Sequence, residues 1–265
     1  MIASCLVLAA LSVTNASASV DLRLEGSDPA VALSRFVDYA ANGPKDTFVA
    51  NTNFWARDVD WSCASPWNSA FGRLRAGTLI SRRHVIFAKH YPLTEGTRIV
   101  FVGDNGGVCP LRIKATKAIA GTDIMIGALN YEVTPNVHPA RILPADYEDL
   151  IGDGAGLPVV TFNQHEQALV TELNAIPKAA PTMMSSRVPT KDPRRALFRK
   201  PIVVGDSGNP AFLVAGREPV LLYCLTYGGA GSGPAVHRYR QEIQQAMDEL
   251  CPGYRLEEMK MKNEE

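Results

Sequence analysis

The 265-residue sequence predicts an all-β fold, a barrel or a sandwich. Three observations carry that reading. From Phe48 to about Leu225, short runs rich in Val, Ile, Leu, Phe and Thr recur: AGTLIS, HVIFA, RIVFVG, LRIKAT, DIMIGAL, LPVVTF, ALVTEL, PIVVG, PAFLVA and PVLLYCLTYGG. Most are five to seven residues long and bounded by Gly, Pro, Asn or Asp, the lengths and punctuation of strands. No long helical patterns alternate with them, as an α/β fold would require. Hydrophobic residues make up 46 % of the chain and charged residues 20 %, which suits a packed core.

Taken in order, residues 1–18 read as a signal peptide. Ile2 to Val13 is apolar but too short to span a bilayer stably, and Ala16-Ser17-Ala18 supplies small residues for cleavage after Ala18 or Ser19. Residues 19–47 read as an N-terminal accessory or pro-segment. Within it, 27–43 carries helix punctuation, with Ser27 or Asp28 to cap, Pro29 in the first turn and Asn42-Gly43 at the end. Leu33, Phe36, Val37 and Ala40 would share one face of that helix. Residues 48–265 form the main domain, closed by an amphipathic helix over 235–250 and a charged tail. No later stretch is apolar for long enough to cross a membrane.

Lys plus Arg and Asp plus Glu number 27 each, so a nucleic-acid coat or an anionic membrane surface is not the expected partner. The basic run DPRRALFRK (192–200) reads as solvated loop charge. Removing the leader takes Cys5 away and leaves Cys63, Cys109, Cys224 and Cys251. An even count in an exported chain suits two disulfides. Three connectivities are open, of which Cys63–Cys109 with Cys224–Cys251 keeps each pair within one half of the chain. No zinc-knuckle spacing and no H-E-x-x-H occurs, so neither a metal nor a cofactor is expected.

Residues 203–214, VVGDSGNPAFLV, place Gly-Asp-Ser-Gly between two apolar runs, where Ser207 is either a turn residue or a nucleophile. A serine nucleophile needs a base, and the base needs a third group to hold its tautomer. Of the five histidines, His90 follows directly on an apolar strand. His84 sits at a strand entry and reads as structural. His138 and His165 lie in polar loops, and His237 opens the last helix. Asp123 heads the apolar run DIMIGAL.

Together these blocks resemble the chymotrypsin/trypsin-type serine peptidases. FAKH (87–90) resembles that family's strand ending in histidine. TDIMIGAL resembles its Asp-Ile-Ala-Leu strand, and GDSGNP (205–210) its Gly-Asp-Ser-Gly-Gly-Pro, with Asn209 in place of a glycine. The order His, Asp, Ser also matches. Thr226-Tyr227-Gly228 begins nineteen residues after Ser207, where the family has its substrate-binding strand.

The resemblance implies two six-stranded antiparallel β-barrels and a secreted, extracellular or periplasmic serine endopeptidase. His90 would be the general base and acid, Asp123 its orienting group and Ser207 the nucleophile. The N–H groups of Gly205 and Ser207 would form the oxyanion hole. Thr226, Tyr227 and Gly228 would bind substrate backbone, with Thr226 also fixing Asp123, and Pro201 would lie at the specificity pocket. The implied partner is a polypeptide substrate, met by a monomer without nucleic acid or membrane insertion.

The sequence also departs from the family's pattern. Tyr91 replaces the cysteine that braces the histidine in animal members. No Ile-Val-Gly-Gly activation sequence precedes the first barrel, so Asp206 must find a partner other than a new N-terminus. Pro201 and Leu225 stand where charge-selective members carry other residues, which favours a neutral or apolar residue before the scissile bond. The alternative reading is a catalytically silent binding or regulatory protein on the same fold, suggested by Lys89 beside His90 and by the unplaced N-terminal segment.

Overall fold

The computed structural model describes residues 13–37, 39, 48–66, 75–179 and 183–259. Most of the expected leader, the Asn42-Gly43 helix end and the last residues of the tail lie outside them. The described chain is mostly β, in two antiparallel-dominated sheets with few helices.

The first sheet holds β1 (Thr78–Ser81), β2 (His84–Ala88), β3 (Arg98–Val102), β4 (Val108–Ala118) and β5 (Ile124–Leu129), in the order β1-β2-β5-β4-β3. In β2, all five residues are buried, which is why its sequence runs apolar rather than alternating. β4 alternates from Cys109 to Ile113, with Cys109, Leu111 and Ile113 inward and Pro110 and Arg112 outward. It pairs with both β3 and β5, and its register shifts between Ile113 and Ala115, where the long strand leaves one neighbour for the other.

The second sheet holds β6 (Arg141–Ile142), β7 (Pro158–Phe162), β8 (Ala168–Leu173), β9 (Met183–Arg187), β10 (Pro210–Ala215), β11 (Glu218–Cys224) and β12 (Ser232–Pro234). Its order is β12-β9-β8-β7-β10-β11-β6. Among the described residues the twelve strands therefore divide five and seven by hydrogen bonding. The run PIVVG is not a strand. Ile202 makes a single bridge to Gly229, and the chain then turns, Asp206 N–H donating to the Val203 carbonyl at 3.1 Å. β6, β9 and β12 carry too few apolar residues to announce themselves in sequence.

Five α-helices punctuate the described chain: α1 (Val13–Leu24), α2 (Pro29–Ala32), α3 (Tyr147–Ile151), α4 (Pro193–Leu197) and α5 (Arg240–Leu250), the last preceded by a 3-10 turn at Val236–Tyr239. None is long and apolar enough to cross a membrane. The helix expected over 27–43 begins as the sequence suggests, with the Asp28 side chain capping Ala30 N–H at 2.9 Å, but ends at Ala32. Tertiary pairing overrides the periodicity from there. Ala168 N–H donates to Leu33 O at 2.9 Å and Arg35 N–H to Glu166 O at 2.8 Å, so the backbone runs extended beside the β7–β8 turn.

The described parts of 19–66 pack against both sheets rather than lying beside them: Phe36 and Phe48 cluster with Val100 and Val102 of β3, and Ala64 bridges Thr78 of β1. Val20, Leu24, Leu33, Trp55 and Trp61 belong to the main core. Trp61 stands edge-on to Phe162 at 5.1 Å between centroids, and the Trp55 indole N–H donates to Ala168 O at 3.0 Å. α1 is itself anchored, through Asp21 to Arg195 and through Arg23 to Asp58.

Two further expectations are corrected. Cys63, Cys109, Cys224 and Cys251 are all free thiols, so neither expected bridge is formed. Cys63, Cys109 and Cys224 are buried and pack as small apolar groups, and burial pushes the Cys63 thiol far above its ordinary pKa. The basic run 192–200 is not merely solvated charge. Arg195 is 3 % exposed and joins Asp21 at 2.7 Å and the fully buried Glu172 at 3.2 Å. Burial alone would push the Glu172 carboxyl up, but the N–H groups of Lys191 and Thr190, the Thr190 hydroxyl and Arg195 outweigh it, leaving it below the usual carboxylate range.

That pairing carries a prediction. Arg195→Ala leaves the buried Glu172 with only the more exposed Arg187, at 3.6 Å, as its cation, and the expected loss is about 3 kcal/mol of unfolding free energy in urea titration. The added Glu172→Gln change should recover part of it. Because the Glu172 pKa is depressed on folding, its contribution is present above the carboxylate range and fades as pH falls through it. A loss below about 1 kcal/mol at neutral pH would show the pair to be incidental.

Candidate active site

Strand pairing brings two of the candidate residues together before any side chain is considered. β2 runs antiparallel to β5 with Ala88 opposite Ile124, so the residues just past one end of the pair are Lys89-His90 and Asp123. Lys89 N–H donates to Asp123 O at 2.8 Å. The Asp123 carboxylate then binds His90 twice, Oδ1 accepting from the backbone N–H at 2.8 Å and Oδ2 meeting Nδ1 at 2.6 Å. A carboxylate only accepts, so Nδ1 carries the proton and Nε2 is left as the acceptor.

Ser207 arrives from the other sheet. It stands in the turn before β10, whose neighbour β11 lies against β2. Gly208 N–H donates to Leu225 O and Leu225 N–H to Asn209 O, both at 2.8 Å, which clips the serine loop to the end of β11. Ser207 Oγ reaches His90 Nε2 at 3.0 Å. Serine, imidazole and carboxylate thus form one hydrogen-bonded line, with the His90 side chain 46 % exposed and Asp123 19 % exposed. A neutral imidazole in this tautomer can take the hydroxyl proton.

The loop around Ser207 has demanding backbone geometry. Gly205 has φ +103° and Gly208 φ +89°, a region side chains rarely adopt. A Cβ on Gly208 would also meet the Ala76 carbonyl at 3.3 Å. Among the described residues Ser207 N–H has no internal acceptor.

Between the two glycines, Asp206 has no exposed surface, and its carboxylate accepts from Gln164 N–H at 2.9 Å and from Val203 N–H at 2.8 Å. The partner left open by the sequence is therefore the protein's own backbone. Burial holds the Asp206 carboxyl above the usual carboxylate range, the two N–H groups and His165 opposing it.

The remaining residues expected at the site divide. Tyr227 and Gly228 border it, Tyr227 being 64 % exposed. Thr226 borders it too, but its Oγ1 is buried without a hydrogen-bond partner and does not fix Asp123. Pro201 is exposed and lies outside the hollow beside Ser207, and its neighbour Ile202 takes the wall. In place of a disulfide at position 91, Tyr91 lies under the Arg75 guanidinium at 4.2 Å, while Arg75 also bonds the Pro92 carbonyl.

Of the other histidines, His84 and His237 are buried, and burial lowers both pKa values to about 4. His138, expected as a solvated loop residue, pairs with Asp60 at 2.6 Å, which no sequence signal indicates. Among the described residues no group of His, Cys, Asp and Glu has the arrangement to hold a metal ion.

Two hollows meet at His90, Thr226 and Tyr227. One, of about 580 Å³, is lined by Ile202, Val203, Val204, Ser207, Leu225 and Gly228. The other, of about 710 Å³, is lined by Lys89, Thr122, Asp123, Met183, Pro234 and Tyr239. The valines before the Gly-Asp-Ser-Gly turn, expected in a strand, are instead the rim of the first hollow, Val204 being fully exposed. No protein-family model matches the chain, and no curated protein matches it in sequence.

Asp206 supplies a test of this frame. Its raised pKa means that the folded protein holds that proton to higher pH than the unfolded chain. Ionising it therefore costs the folded state, and the stability of the natural protein relative to Asp206→Asn should decline as pH rises through the carboxylate range. Paired urea titrations between acid and neutral pH measure the difference. A difference that grows with pH would mean the carboxylate is better solvated than its burial implies.

Proposed function

We propose that the chain is an exported serine endopeptidase of the chymotrypsin type, the twelve strands of its described residues belonging to a pair of barrels with the active site between them. One observation carries the reading: Ser207 Oγ lies 3.0 Å from His90 Nε2 while His90 Nδ1 lies 2.6 Å from Asp123, at the meeting point of two open hollows. A serine in a mere turn has no need of an oriented imidazole, nor that imidazole of a carboxylate bound to its far side.

In the proposed reaction Ser207 Oγ attacks the carbonyl carbon of the scissile peptide bond, and its proton passes to His90 Nε2. The imidazolium is stabilised by Asp123. The carbonyl oxygen, now carrying the negative charge, is received by the N–H groups of Ser207 and Gly205, donors typically worth roughly 3–4 kcal/mol each in acyl transfer. Collapse of the tetrahedral adduct breaks the C–N bond, and the amine leaves with the proton from His90. Water, deprotonated by His90, then cleaves the ester and restores the Ser207 hydroxyl.

The hollow beside Ser207 supports a neutral or apolar residue before the scissile bond. Its walls at Ile202, Val203, Val204 and Leu225 are aliphatic, and no charged side chain lines it except the imidazole when protonated. Ile202 itself is tied to Gly229 by a β-bridge. Export is compatible with the anchoring of α1, since cleavage after Ala18 would keep the contacts of Ser19, Asp21 and Arg23.

A fluorophosphonate probe tests the assignment directly. Stoichiometric labelling at Ser207 is expected, lost in Ser207→Ala and His90→Ala. Asp123→Asn should reduce turnover of peptide substrates by a factor on the order of 10⁴ while leaving the protein folded, because Nδ1 would lose its acceptor and the tautomer would be wrong. A folded, fully processed protein that neither labels nor cleaves any peptide would be a silent binding protein instead.

A further inference from the structure

Resting on that reading, we infer that Lys89 selects substrates with an acidic side chain close to the scissile bond, on the same stretch of peptide as the residue in the aliphatic hollow. Lys89 lines the second hollow and is exposed. Its backbone is committed, its N–H bound to Asp123 O at 2.8 Å, so the position of the side chain's root is set by the β2–β5 pairing. Among the described residues its ammonium has no hydrogen-bond or ion-pair partner, although ion pairs are frequent elsewhere on this surface.

The charges facing Lys89 decide the sign. The hollow's lining contains one carboxylate, Asp123, and both of its oxygens are engaged by His90. The remaining lining is polar without charge at Thr122 and Tyr239, and apolar at Met183 and Pro234. A bound peptide would therefore meet an unpaired cation beside a single carboxylate whose oxygens are both taken by His90. An aspartate or glutamate side chain completes that arrangement, and a lysine or arginine is repelled by it.

Both hollows are bordered by Thr226 and Tyr227, the edge expected to pair with substrate backbone. A peptide extended along that edge turns alternate side chains to opposite faces. One stretch of substrate can thus set a neutral side chain in the hollow at Ser207 and an acidic one in the hollow at Lys89. The uncharged pocket and the cationic pocket together describe a narrower substrate class than either does alone.

The test is a set of matched fluorogenic peptides with a fixed neutral residue before the scissile bond and Glu, Gln or Lys at each of the three preceding positions. At one of them the natural protein should cleave the Glu peptide at least about fivefold faster in kcat/KM than the Lys peptide, with the ratio shrinking as salt is raised. The ratio should fall to near one in Lys89→Met and invert in Lys89→Glu. Comparing ratios within each variant removes any change in overall activity. Equal cleavage of Glu and Lys peptides by a protein that labels fully at Ser207 overturns the role of Lys89 and leaves the peptidase reading intact. So does a preference that survives Lys89→Met. Absence of both labelling and cleavage overturns the peptidase reading and the inference together.

Discussion

The position of Ser207 depends on a carboxylate that sees no solvent. Asp206 is fully buried, and each of its oxygens accepts a backbone N–H, one from its own turn at Val203 and one from Gln164 in the β7–β8 turn. The second bond extends the constraint outward. The β7–β8 turn is itself closed by the Asn163 side chain, which accepts from His165 N–H and Gln167 N–H, and Glu166 within it takes φ +54°. Such a turn keeps its shape only if its surroundings hold it.

What holds it is the N-terminal segment. Arg35 N–H donates to Glu166 O, and Ala168 N–H to Leu33 O, so residues 33–35 run along the turn as a brace. The Arg35 guanidinium is buried and binds the carbonyls of Trp61 and Ala64 at 2.9 Å each, with Glu166 at 3.9 Å. Burial lowers its pKa and nearby Glu166 opposes that, but the group is strongly basic and stays charged. A charge placed there needs every one of those acceptors. Their loss would reach the nucleophile's loop through the turn, although Arg35 touches no part of the cleft.

Much of the site is legible in the sequence because its three members sit at strand ends, where local pattern and chemistry coincide. An apolar run ending in His90, another beginning at Asp123 and a glycine-flanked Ser207 each mark a place where the chain leaves or enters a sheet. The short apolar runs of β2, β5, β7, β8, β10 and β11 are equally readable. Residues 27–43 mislead because an apolar spacing of three and four suits a helix and is also tolerated by a chain that bends and then pairs; the bonds at Leu33 and Arg35 are long-range and leave no local mark. The burial of Arg195 is hidden for the same reason, since Asp21 and Glu172 lie far from it in sequence. The cysteines mislead by parity alone: an even count says nothing about whether two sulfurs are brought within bonding reach.

These connections bear on how the proposed site would come to be competent. In the family the sequence resembles, an amine released by cleavage pairs with the acid beside the serine. Here both oxygens of Asp206 are already bound by N–H groups of the folded chain, in a position closed to solvent. An incoming ammonium would have to displace one of them and leave a buried N–H unpaired, at a cost of roughly 1–3 kcal/mol before its own desolvation is counted. Residues 33–35 of the N-terminal segment, bonded along the β7–β8 turn, supply from the outside the order that such an amine would supply from within. On this reading folding and competence are one event. Residues 33–35 are then part of the finished protein, and their removal would undo the nucleophile's loop rather than release it.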